Sequence, residues 1–145
     1  MKQLYDQDFY EWTQQTAELL REGKLAELDL EHLAEEIGDM GNRDRRGVYN
    51  RLRVLLMHLI KWQIQPERRS RSWSATILEQ RQRLNWILKN SPSLRRYAGE
   101  QLEEIYHLSA LAALKATGLI ITLPEQCPFT LDQILDDDFL PRSSG

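Results

Sequence analysis

The sequence is poor in the residues that build redox and membrane-spanning structures. Cys127 is the only cysteine, which excludes an internal disulfide and a zinc site made of cysteines. No apolar run reaches the roughly eighteen residues of a membrane-spanning helix. The first residues, MKQLYDQDFYEW, lack a basic start followed by an apolar segment, so we expect no signal peptide. The cytoplasm is the expected compartment, and no membrane partner is expected.

The motifs of several common catalytic sites are also missing. The sequence has no Gly-rich phosphate loop, no nucleophilic-serine elbow and no His-Glu-x-x-His zinc motif. Its 145 residues, 41% hydrophobic and 28% charged, are typical of one globular domain. We predict a single domain over residues 1–141 and a disordered tail over residues 142–145. No cofactor is expected.

The net charge of -3 conceals a strong separation of charge along the chain. Residues 1–42 carry eleven acids and three bases, residues 43–96 carry fourteen bases and three acids, and residues 97–145 carry eight acids and two bases. The basic middle could bind phosphate. The favoured alternative is neutralisation within the fold, and we predict ion pairs of Glu35 and Glu36 with Arg45 and Arg51 across a turn at Gly41.

Apolar residues recur at steps of three and four, which predicts an all-α bundle of about five helices. The central helix is expected to run from about Arg43 to Gln65, before Pro66, and to carry the stripe Val48, Leu52, Leu55, Leu56, Leu59 and Gln63. Another apolar face is formed by Leu30, Leu33, Ile37 and Met40. After Leu119 the period is lost, which predicts an extended segment followed by a short last helix.

Residues typical of helix ends divide the chain. The expected caps and stops are Asp6 or Asp8, Gly23, Asp29, Gly41 with Asn42, Ser70 or Ser72, Ser91 with Pro92, Gly118, and Thr130 with Gln133. In the helix that follows Ser70 or Ser72, Arg81 and Arg83 are expected to point away from the core. The side chains expected to face inwards are Trp73, Ile77, Leu84, Ile87 and Leu88.

Several segments together resemble the bacterial family known as domain of unknown function 29. They are LDLEHLAEEIGDMG, RLRVLLMHLIKWQIQPERRSRSW, TILEQRQRL, NSPSLR and PEQCPFTLDQILDDDFLP. The resemblance extends from LYDQDFYEW to DFLP. It implies an all-helical domain of this size and assigns no activity.

His58 is the first candidate for catalysis, because Arg51 and Arg53 precede it by seven and five residues. This spacing looks like the motif of HEPN-type helical ribonucleases, in which imidazole moves a proton and guanidinium holds phosphate oxygens. Val and Leu follow Arg53 deep in a helix, which departs from that motif. The alternative is a histidine at the core edge, bonded to a carboxylate or backbone group, and this interpretation is favoured.

The sequence also contains candidate residues for a metal site and for a nucleic-acid site. His32, Glu35, Glu36 and His58 could bind a metal, but His32 precedes Glu35 in the reverse of the usual Glu-x-x-His order, so we predict no metal site. Candidate phosphate contacts are Lys61, Arg68, Arg69, Arg71 and Arg81. Tryptophans nearby could stack on bases, although the thirteen-residue separation of Trp73 and Trp86 favours a place in the core.

The simplest interpretation is a non-enzymatic interaction or regulatory module that binds a protein partner or itself. Two alternatives remain. One is an RNA-directed hydrolase that uses His58 with Arg51 or Arg53. The other is a nucleic-acid-binding module that uses residues 43–96.

Overall fold

The computed structural model describes residues 1–143 and is helical, with no strand within that range. The helices are α1 (Lys2–Gln7), α2 (Phe9–Arg21), α3 (Leu30–Ile64), α4 (Arg71–Asn90), α5 (Ser93–Thr117) and α6 (Leu131–Leu135). Single turns of 3-10 helix lie at Leu25–Glu27 and Pro66–Arg68. The predicted all-α class is confirmed. None of the helices in this range has the length and apolarity needed to cross a membrane.

The chain divides into two compact units, Met1–Arg43 and Asp44–Gly145. The single domain expected over residues 1–141 stays a prediction. Of the tail expected to be disordered, residues 144 and 145 lie outside the described residues. Ser143 is described, and its Oγ accepts a hydrogen bond from Arg69 Nη2 at 3.0 Å.

Several helix ends lie where the sequence predicts them. The side chains of Asp8 and Ser70 each accept a hydrogen bond from the backbone N–H three residues later, at 3.1 and 3.2 Å. Gly118 follows α5 in the left-handed conformation, which a residue without Cβ adopts at no steric cost. Thr130 and Gln133 form the predicted reciprocal capping box at the start of α6.

Other boundaries differ from the prediction. The stop expected at Gly41 and Asn42 is wrong, because α3 continues through both as one helix of 35 residues. A glycine inside a helix costs only about 1 kcal/mol, and no proline follows to remove a hydrogen-bond donor. The sequence did not predict α1, a short helix that precedes the predicted cap at Asp8. Ser91 does not cap α5, which begins at Ser93 without a side-chain cap.

The core of the second unit is built around α3. Of the predicted central stripe, Val48, Leu52, Leu55, Leu56 and Leu59 are 0% exposed, whereas Gln63 is only partly buried. The five apolar residues belong to one cluster with buried side chains of α4, α5 and α6. Each fully buried aliphatic side chain contributes roughly 1.5 to 3 kcal/mol to stability. The apolar stripe and the end of the helix before Pro66 are confirmed, but the helix begins at Leu30 and not near Arg43.

Arg81 is a charged residue inside this core. It lies four residues after Ile77 and three before Leu84 on the buried side of α4, and it is 2% exposed. Its Nε donates to the carbonyl of Ile134 at 2.8 Å, and its Nη2 donates to the carbonyl of Phe139 at 2.6 Å. The expectation that Arg81 points away from the core is therefore wrong.

The guanidinium of Arg81 supplies donors to carbonyls at and beyond the end of α6, which have no helical partner of their own. Burial lowers the pKa of Arg81, whereas the nearby Asp136 and Asp137 act in the opposite direction. Asn85 adds a hydrogen bond from Nδ2 to the carbonyl of Leu135 at 3.0 Å. These polar contacts join the C-terminal segment to α4.

Replacing Arg81 with methionine is expected to lower the free energy of unfolding by about 2 to 4 kcal/mol, because two buried carbonyls lose a charged donor. Urea denaturation followed by circular dichroism measures this change. The matched control is Arg83→Met, whose side chain is exposed and should cost less than about 1 kcal/mol. Equal stability of the two variants would contradict the structural role of Arg81.

Candidate functional site

A cleft of about 410 Å³ lies between α3 and α4 of the second unit. Its lining side chains are Asp44, Arg51, Gln82, Arg83, Trp86 and Ile87. Trp86 is 67% exposed, so the expectation that it faces the core is wrong. The cleft combines two guanidinium groups, one carboxylate, one amide and a large exposed ring.

The two arginines of this cleft are held by different partners. Arg51 Nη1 donates to Gln80 Oε1 at 3.2 Å, and an amide oxygen does not neutralise the guanidinium. Arg83 Nε donates to Glu79 Oε1, also at 3.2 Å, which offsets part of its charge. The formal charges of Arg51, Arg83, Asp44 and Glu79 sum to zero, but both guanidinium groups keep N–H donors beyond those used on Gln80 and Glu79, and they lie beside an exposed indole. This arrangement suits an anion that also contains a flat ring.

His58 lies half-buried beside its own backbone. Its Nδ1 donates to the carbonyl of Val54 at 2.8 Å, which makes Nδ1 the protonated nitrogen of the neutral ring. Burial lowers the pKa of His58; the bond to Val54 opposes this shift, and the charge of Lys61 adds to it. These contacts are those of a histidine at the core edge that is bonded to a backbone group.

The contacts described for the two arginines do not bring either of them to His58. Arg51 reaches Gln80 on α4. Arg53 lines a different cleft, beside Ser109 of α5, and five residues of helix turn it about 140° away from His58. The hydrolase hypothesis gains no support from this geometry.

Two of the candidate phosphate contacts are occupied within the fold. The ammonium of Lys61 lies 4.6 Å from the ring centre of Trp73. The guanidinium of Arg69 lies 4.8 Å from the ring centre of Trp62, and its Nε donates to the Trp62 carbonyl at 2.9 Å. Such cation–π contacts orient both cations against the protein surface.

The remaining candidate phosphate contacts differ in how far their side chains are exposed. Arg81 is buried and bonded to backbone carbonyls, so a phosphate cannot reach it without displacing the C-terminal segment. Arg68 and Arg71 are exposed. The sequence does not distinguish these cations as phosphate contacts, because the spacing in a run of arginines does not show which side chain is buried.

The predicted ion pairs of Glu35 and Glu36 with Arg45 and Arg51 stay a prediction. The turn on which they depended is absent, because α3 is continuous. Within the second unit, the guanidinium of Arg45 lies 4.4 Å from the ring centre of Tyr97. In the first unit, Glu36 accepts a hydrogen bond from a tyrosine.

A polar cluster in the first unit joins α1 to α3. Asp29, whose side chain is 0% exposed, places Oδ2 at 2.5 Å from His32 Nδ1. The ring of Tyr5 stacks on the ring of His32 with 3.9 Å between centroids. The Tyr5 hydroxyl donates to Glu36. His32 is thus engaged by a carboxylate, and within residues 1–143 no three His, Cys, Asp or Glu side chains are grouped as metal ligands.

Protonation in this cluster follows from its contacts. Burial opposes ionisation of Asp29, but the hydrogen bonds from His32 outweigh it, and the pKa of Asp29 falls below its ordinary value. The bond to Asp29 raises the pKa of His32 against the effect of burial. The bond to Glu36 raises the pKa of Tyr5 to about 12. The sequence signal for this cluster was Asp29-x-x-His32, a spacing that places both side chains on one side of the chain entering α3.

The apolar face predicted at the start of α3 is largely uncovered in the first unit. Leu30 is 64% exposed, Ile37 60% and Met40 56%, whereas Leu33 is partly buried. Large aliphatic side chains at these levels of exposure are unfavourable when they lie together on one helix face.

Residues 4–140 match the family described as Domain of unknown function DUF29. The chain belongs to this family. The match covers almost the whole chain and confirms the family resemblance seen in the sequence, and the family's description assigns no activity. No curated protein and no solved structure matches the chain.

In this member of the family, His32 and His58 are expected to titrate on opposite sides of the ordinary histidine pKa of 6.5. The interaction that raises the pKa of His32 stabilises the folded chain fully below pH 6.5, the ordinary histidine pKa. This stabilisation is lost as the pH rises through the higher pKa that His32 has in the folded state. The interaction that lowers the pKa of Asp29 stabilises the fold at pH values above 3.8, the ordinary aspartate pKa. This stabilisation is lost as the pH falls through the lower pKa that Asp29 has in the folded state.

Imidazole chemical shifts measured by NMR across this pH range test the assignment. Asp29→Asn should lower the pH midpoint of His32, because the hydrogen bond to the Asp29 carboxylate and its negative charge are the main causes of the raised pKa. The midpoint of His58 should not move and serves as the internal control. A His32 midpoint unchanged by Asp29→Asn would show that the pair does not set its protonation.

Proposed function

We propose that the protein is a helical interaction module that binds a second copy of itself through α3 of its first unit. The observation that carries the proposal is the exposure of Leu30, Ile37 and Met40 on one face of that helix. The proposal keeps the class predicted from the sequence, a non-enzymatic module, and narrows the partner to a copy of the same chain. The bacterial cytoplasm remains the expected setting.

The spacing of the exposed residues defines a narrow stripe. Leu30, Leu33, Ile37 and Met40 follow one another at steps of three, four and three, the pattern by which one helix packs along another. α1 contacts α3 at Glu31, His32 and Glu36, each of which is one position, or about 100° around the helix axis, from a residue of the stripe. Tyr5 therefore covers a neighbouring side of α3 and leaves the stripe accessible.

The edges of the stripe fit an antiparallel pair of helices. Glu36 and Arg43 are seven residues apart on one edge, and Ala34 and Gly41 are seven apart on the other. In an antiparallel pair that packs Ile37 of one copy against Met40 of the other, Glu36 of each copy lies near Arg43 of its partner, so two-fold symmetry makes the contact twice. A parallel pair would place the edge with Glu36 and Arg43 against the edge with Ala34 and Gly41 of its partner, so this contact would not form.

The small residues on the opposite edge allow the helices to approach closely. A Cβ added to Gly41 would meet no atom within 4 Å, and the same holds for Gly38. Arg43 is exposed, and Glu36 has a second carboxylate oxygen beyond the one that accepts from Tyr5. Apolar side chains, charge and space therefore favour the same partner.

Replacing Ile37 with aspartate is expected to weaken self-association at least about a hundredfold, because two apolar side chains per dimer are lost and two carboxylates are buried. Sedimentation velocity over a hundredfold range of concentration measures the dimer fraction. The matched control is Ile120→Asp in the second unit, where the native side chain is 101% exposed; it should leave the dimer unchanged.

A charge exchange tests the antiparallel orientation. Arg43→Glu should weaken the dimer by about tenfold, since each surface ion pair is worth about 0.2 to 1 kcal/mol and two pairs become repulsive. Adding Glu36→Arg to this variant should restore most of the affinity. A wild-type chain that stays monomeric throughout, or a dimer equally affected by Ile37→Asp and Ile120→Asp, would overturn the proposal.

A further inference from the structure

The cleft between α3 and α4 has the size of a small-molecule site. Its volume of about 410 Å³ falls within the roughly 300 to 1,000 Å³ common for ligand pockets. The residues that line it all belong to the second unit, whereas the self-association stripe belongs to the first. The residues that would bind a ligand in this cleft are therefore distinct from those of the proposed dimer interface.

Two arginines give the cleft its affinity for an anion. A guanidinium has five N–H donors. Arg51 uses one on Gln80, and Arg83 uses its Nε on Glu79. The terminal N–H groups that remain match the spacing of phosphate oxygens, which accept paired hydrogen bonds from arginine.

The other lining residues suit a ring with a polar edge. The exposed indole of Trp86 offers a flat face for stacking, and Ile87 adds apolar surface beside it. Gln82 can both donate and accept hydrogen bonds, and Asp44 accepts them. A negative charge, a flat ring and hydroxyl or amide edges occur together in a nucleotide.

We infer that this cleft binds a nucleotide unit, with the phosphate on Arg51 and Arg83 and the base on Trp86. The unit could be a free nucleotide or part of a single-stranded nucleic acid, since both present the same phosphate and base. The inference differs from general binding along the arginine-rich segment, because it depends on three named side chains rather than on net charge.

The test uses fluorescence anisotropy of a dye-labelled oligouridylate with the full chain at about 50 mM salt, where phosphate contacts are strongest. Trp86→Ala should weaken binding at least about fivefold through the loss of stacking. Arg51→Gln should weaken it by a similar factor. Arg96→Gln removes an exposed arginine of α5 that lies outside the cleft, and it should change binding less than about twofold.

Competition with uridine monophosphate separates the two sources of the nucleotide. Displacement of the oligouridylate supports a site for a free nucleotide, whereas resistance to displacement, with the Trp86 dependence kept, supports single-stranded nucleic acid. No binding of either probe at this salt overturns the inference. An equal loss of affinity in Arg51→Gln and Arg96→Gln also overturns it, as does an unchanged affinity in Trp86→Ala, provided that circular dichroism shows each variant folded.

Discussion

The burial of the α3 stripe is the interaction on which the second unit depends. Val48, Leu52, Leu55 and Leu59 are fully covered by the helices that follow them. Because these side chains fix the rotation of α3 about its axis, they also fix where its polar residues emerge. Arg51 precedes Leu52 directly and is turned about 100° from it, which brings its guanidinium to α4 and the cleft. The polar arrangement of the cleft is thus a consequence of apolar packing.

Arg81 shows how the same core tolerates a charge. An unpaired buried cation would be strongly unfavourable, yet here its donors are matched by two carbonyls that no helix satisfies. Removing either side of this arrangement leaves the other without a partner. The contact also explains how a five-residue helix persists at α6, since so short a helix is not stable in isolation. Its position is set by a side chain more than fifty residues earlier in the chain.

Local signals in the sequence were reliable where chemistry acts over a few residues. The caps at Asp8, Ser70 and Thr130 and the glycine after α5 could be predicted because each depends on near neighbours. The central stripe of α3 could be predicted from its period.

Arg81 could not be predicted from residue type, although the spacing Ile77, Arg81, Leu84 and Leu88 is that of a buried helix face. The prediction for Trp86 was wrong in the opposite sense, because this aromatic residue was expected in the core and is exposed. The cleft was missed because it needs two helices to be placed together.

The contrast between the two units supports self-association on physical grounds. In the second unit the apolar stripe of α3 is covered by α4, α5 and α6. In the first unit α1 makes its polar contacts at His32 and Glu36, and the side of the helix with Leu30, Ile37 and Met40 keeps most of its surface exposed. A helix cannot bury its own stripe, because residues on one face do not contact each other across the axis. In the proposed dimer a helix of a second copy supplies this cover, and the charges at Glu36 and Arg43 favour a copy that runs in the opposite direction.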